Sequence, residues 1–155
     1  MIVEKHFTVS IYIVHKDKVL LHVHKKYGIL LPLGGHIAAN ELPEEACNRE
    51  AKEEPGLSIN LYNADIDSPF RNAIEESDGK FIVRPMHMIL CEVNPEHYHI
   101  DLNYYATTDS YHVDPLDGES NLLYWFTKEE LSKVQNAPQD VIVMAIEALE
   151  LLSER

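Results

Sequence analysis

Between Gly35 and Leu57 the chain reads GHIAANELPEEACNREAKEEPGL, and the residue types there that could do chemistry are carboxylates. Glu50, Glu53 and Glu54 stand at i, i+3 and i+4. On a helix that spacing gathers three carboxylates within an arc of about 100°. Like charges so placed repel one another unless a cation or basic partner offsets them. Arg49 brings one positive charge, toward the edge of the arc. A hard divalent cation with oxygen ligands, Mg2+ or Mn2+, answers the remainder best, although Glu-rich helix faces are more commonly just solvated.

A second set of polar residues alternates in HYHIDLNYY. On a strand, His97, His99, Asp101, Asn103 and Tyr105 would point to one side, and Tyr98, Ile100, Leu102 and Tyr104 to the other. An ordinary half-exposed strand gives the same pattern. The functional reading is that this face floors the cleft of the acidic helix, with His99 and Asp101 contacting phosphate or base. His22 and His24 repeat the spacing, and His36 follows the paired glycines; with nine histidines in all, zinc has to be considered. Against it, imidazoles alternating on a strand commonly satisfy local hydrogen bonds. His36 is the one of these three expected to touch substrate.

Several elements must position these groups. HFTVSIYIV (6–14) and VLLHVH (19–24) are β-branched and aromatic, and the four residues between them suit a hairpin turn. A Gly-rich turn is expected in LPLGGHIAAN (31–40). Pro43 then opens a helix over 43–54 with Glu44 and Glu45 at its positive end. Pro55 and Gly56 should stop it. Strands are expected at 57–66, 81–93 and 97–108, with a polar loop at 68–80. LLYWF (122–126) reads as a short strand, followed by a capping box at Thr127 and Glu130. Residues 138–152 read as a last helix with a broad apolar face. The order of elements indicates an α/β protein with a mixed β-sheet sandwiched between α-helices.

The 155 residues suit a single domain spanning 1–155, and a hydrophobic fraction of 45% is enough to bury a core. The net charge of −13 and the absence of a Lys/Arg run exclude large nucleic acids as expected partners. A small anionic ligand on so acidic a protein calls for a bound cation. Cys47 and Cys91 lie far apart, which suggests neither a disulfide framework nor a zinc knuckle. No stretch approaches the ~20 apolar residues of a membrane span, and the amino terminus lacks a signal-like pattern, so a cytoplasmic location is expected.

The segment from Gly35 to Leu57 resembles the Nudix box, G-x5-E-x7-R-E-U-x-E-E-x-G-U with U apolar. It matches at every fixed position: Gly35, Glu41, Arg49, Glu50, Ala51, Glu53, Glu54, Gly56 and Leu57. The order of the flanking strands is similar to the Nudix fold over most of the chain. The resemblance implies that Glu50, Glu53 and Glu54 bind Mg2+ or Mn2+ with the main-chain carbonyl of Gly35, while Glu41 pairs with Arg49. Glu50, Glu53, Arg49 and Glu119 are its candidate catalytic residues, Glu119 being a loop glutamate outside the box that would serve as metal ligand or general base. His36, His99 and Asp101 are the candidate substrate contacts. Asn40 stands where glycine is frequent but tolerates left-handed geometry. Pro55 removes a helix N–H directly after Glu54, which bears on that side chain's placement.

The implied reaction is hydrolysis of the diphosphate linkage in a nucleoside diphosphate joined to another moiety, such as a nucleoside triphosphate or nucleotide sugar. The proline that marks ADP-ribose pyrophosphatase-like members would fall near Asn72 and Ala73, and the tyrosine of dinucleoside polyphosphate hydrolases near Ala73 to Glu75; neither is there. A non-catalytic nucleotide sensor of the same fold is the alternative, though it would not need a full set of box glutamates. An isoprenoid isomerase-like reading, which needs a cysteine in proton transfer, finds little support in Cys47 and Cys91. Nudix proteins are often homodimers, so the resemblance leaves a homodimer open, but nothing in the sequence marks an interface.

Overall fold

The computed structural model of the chain describes residues 2–154. Strands β1 (Glu4–His15) and β2 (Lys18–Val23) form the expected hairpin, with His15 opposite Lys18, so the turn is only Lys16 and Asp17. Next come β3 (Leu30–Leu31), β4 (Leu33–His36), helix α1 (Pro43–Glu53) and β5 (Asn60–Leu61). They are followed by α2 (Arg71–Glu76), β6 (His87–Asn94), β7 (His97–Thr107), β8 (Leu123–Phe126), α3 (Lys128–Leu131) and α4 (Gln139–Leu152).

β1 organises the sheet. On one side it runs parallel to β7, from Glu4 opposite His97 to Val14 opposite Thr107. On the other side its middle, from Thr8 to Ile11, pairs with β4 and its end pairs with β2. β6 pairs antiparallel with β7, and β8 with β2. Because side chains alternate along a strand, each face receives its own core. Val9, Ile11, Ile13, Leu20, Leu33, Leu102 and Tyr104 pack with Ala46, Cys47 and Ala51 of α1. Tyr12, Val14, Leu21 and Tyr105 pack on the opposite face with Val141, Met144, Ala145 and Leu149 of α4. The small residues of α1 let it lie close to the sheet, so the mixed sheet is indeed held between helices.

Four expectations need correction. The Gly-rich segment is not a turn: Gly34 and Gly35 lie in β4, opposite Ser10 and Val9. Their bareness serves close approach, since a Cβ on Gly34 would run into the Val9 carbonyl. Only Asn60 and Leu61 of 57–66 form a strand, because the Leu57 amide is bonded to the Ala51 carbonyl at the helix exit and Asn63 turns the chain through the Asp65 amide. Residues 81–86 stay out of the ladder, where Pro85 has no N–H to give, and pairing starts at His87. The 68–80 loop contains α2. The helix at Pro43 ends at Glu53, Thr127 and Glu130 form their capping box, and Asn40 takes the left-handed geometry expected of it, at φ 65°.

Gly34→Ala is expected to destabilise the chain by about 1–3 kcal/mol through overpacking against β1. A lower urea midpoint with an unchanged slope would check it; a midpoint equal to the parent's would mean that β1 and β4 separate without cost.

Candidate active site

The acidic groups of α1 are fixed by one guanidinium. Arg49 donates from Nε and Nη2 to the two oxygens of Glu41, at 2.7 and 3.0 Å. Its Nη1 donates to Glu50 at 2.8 Å and Glu53 at 3.3 Å, and Nη2 also reaches the His36 carbonyl at 2.9 Å. Glu41 in turn accepts from the Ala38 amide at 2.9 Å, which ties the loop before the helix to the helix itself. The Glu41–Arg49 pairing implied by the sequence is therefore present. Arg49 hydrogen bonds hold the Glu41 carboxyl below its usual range, and Glu41 foremost holds the guanidinium above its own.

Glu50 and Glu54 point into the sheet, where they are only 9% and 7% exposed. They reach the place where β1 passes from β4 to β2. Glu54 accepts from the Gly34 amide at 2.9 Å, and its other oxygen lies 3.6 Å from Nδ1 of His22. A Cβ on Gly35 would collide with the Glu50 carboxylate, so only glycine leaves that carboxylate its place. Pro55 does not displace Glu54, because the helix ends there and the Glu54 amide still bonds to the Glu50 carbonyl at 2.9 Å. Glu53 is the open member of the set, with a side chain 38% exposed.

Burial dominates the electrostatics. It raises the Glu50 carboxyl, and with help from the adjacent Glu50 and from Glu119 it pushes Glu54 up to about 8. His22 is pushed down to about 4, by burial first and then by His24, and its Nδ1 is buried without a hydrogen-bond partner. A site with two buried carboxyls, one open carboxylate, a bare backbone at Gly35 and a single guanidinium fits a hard divalent cation. Glu50, Glu53, Glu54 and the Gly35 carbonyl are the groups that could hold it. Glu119 stands near enough for its charge to act on Glu54. Its loop is bonded to the end of α1, from the Asp114 amide to the Pro55 carbonyl at 2.7 Å and from the Leu116 amide to the Glu53 carbonyl at 3.1 Å.

The polar face of β7 lies elsewhere. Ile100, Leu102 and Tyr104 take the α1 side, so His99 and Asp101 face the other way and do not floor the acidic cleft. Asp101 accepts from Thr8 and Ser10, each at 2.7 Å, and is committed to β1. His36 is on this second face too, its ring 4.9 Å from that of His99. Burial and neighbouring imidazoles lower both rings below the usual histidine range. The sequence reading gave no role to His6, which joins this group, although His6, Thr8 and Ser10 alternate in β1 as plainly as the polar residues of β7 do. It also saw no link from His22 to Glu54, because that contact depends on how the sheet divides.

The raised Glu54 carboxyl makes stability depend on pH in the metal-free chain. A carboxyl with a folded pKa near 8 against an ordinary value of 4.5 contributes stability that is complete below 4.5 and is lost as pH rises through 8. His22, depressed from 6.5 to about 4, contributes the opposite slope, but only below 6.5. Between pH 6.5 and 8 the metal-free melting temperature should therefore fall, and Mg2+ should raise it more at pH 8 than at 6.5. Glu54→Gln should flatten that slope and weaken the Mg2+ effect; calorimetric melts with and without Mg2+ would test both.

Comparison with known proteins bears on this geometry. The family model for the NUDIX domain matches residues 4–153. A NUDIX-family hydrolase from Clostridium perfringens is 54% identical, with 97% of this chain and 100% of that one covered at a TM-score of 0.91. A NUDIX hydrolase from Nitrosomonas europaea is 19% identical with 98% of each chain covered, at a TM-score of 0.66. The MutT protein of Methanosarcina mazei Go1 is 15% identical over 96% of this chain and 95% of its own, at a TM-score of 0.69. The last two share the fold. No curated protein matches the chain. A family model that takes in nearly all of the sequence, with a majority-identical relative of equal length, shows that the chain belongs to the NUDIX family of hydrolases.

Proposed function

We propose that this chain, as a single domain, hydrolyses the diphosphate linkage of a small nucleotide-type substrate, a nucleoside diphosphate joined to a further phosphate or to another moiety, with Mg2+ or Mn2+. The observation that carries the reading is the convergence of Glu50 and Glu54 on the bare backbone at Gly34 and Gly35, with Glu53 beside them under the restraint of Arg49. Glu50, Glu53, Glu54 and the Gly35 carbonyl would hold the cation. When bound, the cation supplies positive charge that draws the phosphoryl oxygens in and offsets the charge developing on them.

The chain's own groups account for the rest. A carboxylate takes a proton from the attacking water as its oxygen bonds to phosphorus. The bridging P–O bond then breaks, and its electron pair leaves with the departing phosphate. Glu53 and Glu119 are the candidates for that proton, since Glu50 and Glu54 are turned inward. Arg49 is a positioning residue: it holds Glu50, Glu53 and the His36 carbonyl in one frame. An overall charge of −13 would repel a phosphate-bearing substrate, so cation and substrate are expected to bind interdependently.

The test is mass-spectrometric product detection on a panel of nucleoside triphosphates, nucleotide sugars, dinucleoside polyphosphates and ADP-ribose, with and without Mg2+. Cleavage at a phosphorus–oxygen bridge that needs the cation, and falls by about 10²-fold or more in Glu53→Gln or Glu119→Gln, is the expected result. If no panel member is cleaved, yet several raise the melting temperature, the chain binds nucleotides without turning them over.

A further inference from the structure

We propose that His6, His36 and His97 form a binding site for a zinc-type transition-metal ion, separate from the carboxylates of α1. The three rings come from β1, β4 and β7, and one nitrogen of each lies within 4.8 Å of the others. The strand register produces this. Thr8 is opposite His36, and Glu4 is opposite His97, so all three imidazoles rise from the same face of neighbouring strands. His97 Nε2 and His6 Nδ1 are 3.0 Å apart. Two nitrogen ligands on a tetrahedral zinc ion stand about 3.3 Å apart, so this pair is close to ligand spacing already.

Two further features belong to such a site. Glu4 Oε2 is 3.4 Å from Nε2 of His6, the nitrogen that faces away from His97. A carboxylate on the remote ring nitrogen is the usual outer partner of a metal-binding imidazole; it keeps the proton there and leaves Nδ1 its lone pair. Without metal, that lone pair accepts from Nε2–H of His97. A bound ion would take both lone pairs, with the His97 proton carried instead on its Nδ1 and no net proton exchanged. The second feature is His99, whose Nε2 is buried without a hydrogen-bond partner and whose ring lies 4.9 Å from those of His36 and His97. It stands beside the three ligand rings, where its free nitrogen could bond a water held at the site.

The site is distinct from the acidic one because neighbouring residues of β4 serve opposite faces. Gly35 meets Glu50, and His36 turns away from it. Its ligands also select a different ion, since imidazole suits zinc, copper and nickel, whereas oxygen ligands suit magnesium. By this inference His36 is a metal ligand and not a substrate contact. An ion there would clamp β4, β1 and β7 together beyond the part of the face that α4 covers.

The experiment is a calorimetric titration of the full chain with Zn2+ in excess Mg2+, which occupies the carboxylates. One equivalent should bind. Affinity should fall by about 10-fold or more in His6→Gln, His97→Gln and His36→Gln, as loss of a direct ligand should cost no less than loss of an outer partner. Glu53→Gln and His22→Gln should bind as the parent does. Co2+ in place of Zn2+ should give the intense visible bands of a four-coordinate, nitrogen-rich site, lost in the same three variants. His36 is exposed, so His36→Gln keeps the test intact if either of the other variants fails to fold. No binding by the parent beyond the carboxylates, or equal binding by all three histidine variants, would overturn the proposal.

Discussion

Arg49 meets Glu41, Glu50, Glu53 and the His36 carbonyl with one planar group, and the geometry of the acidic helix depends on that meeting. A guanidinium is suited to the task because its donors form a rigid fork that remains charged at any working pH. It cannot neutralise everything near it. Two of the carboxyls it does not fully offset are buried, where an unpaired charge is costly. Burial raises both carboxyls and so favours their protonated forms in the metal-free chain, whereas a cation would favour the charged forms.

That frame exists because β1 changes partners. Along one edge it holds β7 throughout; along the other it is shared between β4 and β2. Where the second edge passes from one strand to the other, the sheet leaves room for Glu54 to reach the Gly34 amide and His22. The glycines keep β4 tight against β1 at that point. Alternation then sorts the rest: Val9, Ile11, Ile13, Leu102 and Tyr104 go to α1, and on the opposite side Thr8, Ser10 and Asp101 lie on the same face as Tyr12, Val14 and Tyr105, which meet α4. The fold thus separates the acidic groups of α1 from the polar residues of β1 and β7, and it turns the neighbours Gly35 and His36 of β4 to opposite faces.

Much of this was legible in the residues. The spacing of the box glutamates, the hairpin, the helix limits and the final helix rest on local rules of periodicity and capping, and those rules hold here; the pairing of Glu41 with Arg49 was implied by the resemblance to the Nudix box. The misreadings came from long-range partners. A glycine pair normally signals a turn, but here β1 claims Gly34 and Gly35 for the sheet. Residues 57–66 have strand-forming side chains yet find a partner only at Asn60 and Leu61, at the very end of β7. The polar face of β7 was seen correctly as a face, but alternation alone does not say which helix lies on which side. The grouping of His6 with His36, His97 and His99 required the parallel register of β1 on β7, which no local pattern reveals.

The way α1 ends reaches beyond helix termination. Gly56 takes a left-handed turn, at φ 73°, and a Cβ there would strike the Asp114 carbonyl, so the segment carrying Glu119 packs directly on the exit of the helix. Backbone bonds from Asp114 and Leu116 stitch it there, while Lys25 bonds to the Gly118 carbonyl and Ser120 to that of Val23 at 2.8 Å. The loop of Glu119 and the end of α1 are therefore joined directly by backbone bonds, although 65 positions separate Glu119 from Glu54 in the chain. If charge develops on a bound phosphate, as proposed above, such prior bonding would limit the reorganisation needed, the condition under which fixed electrostatics stabilise a transition state most effectively.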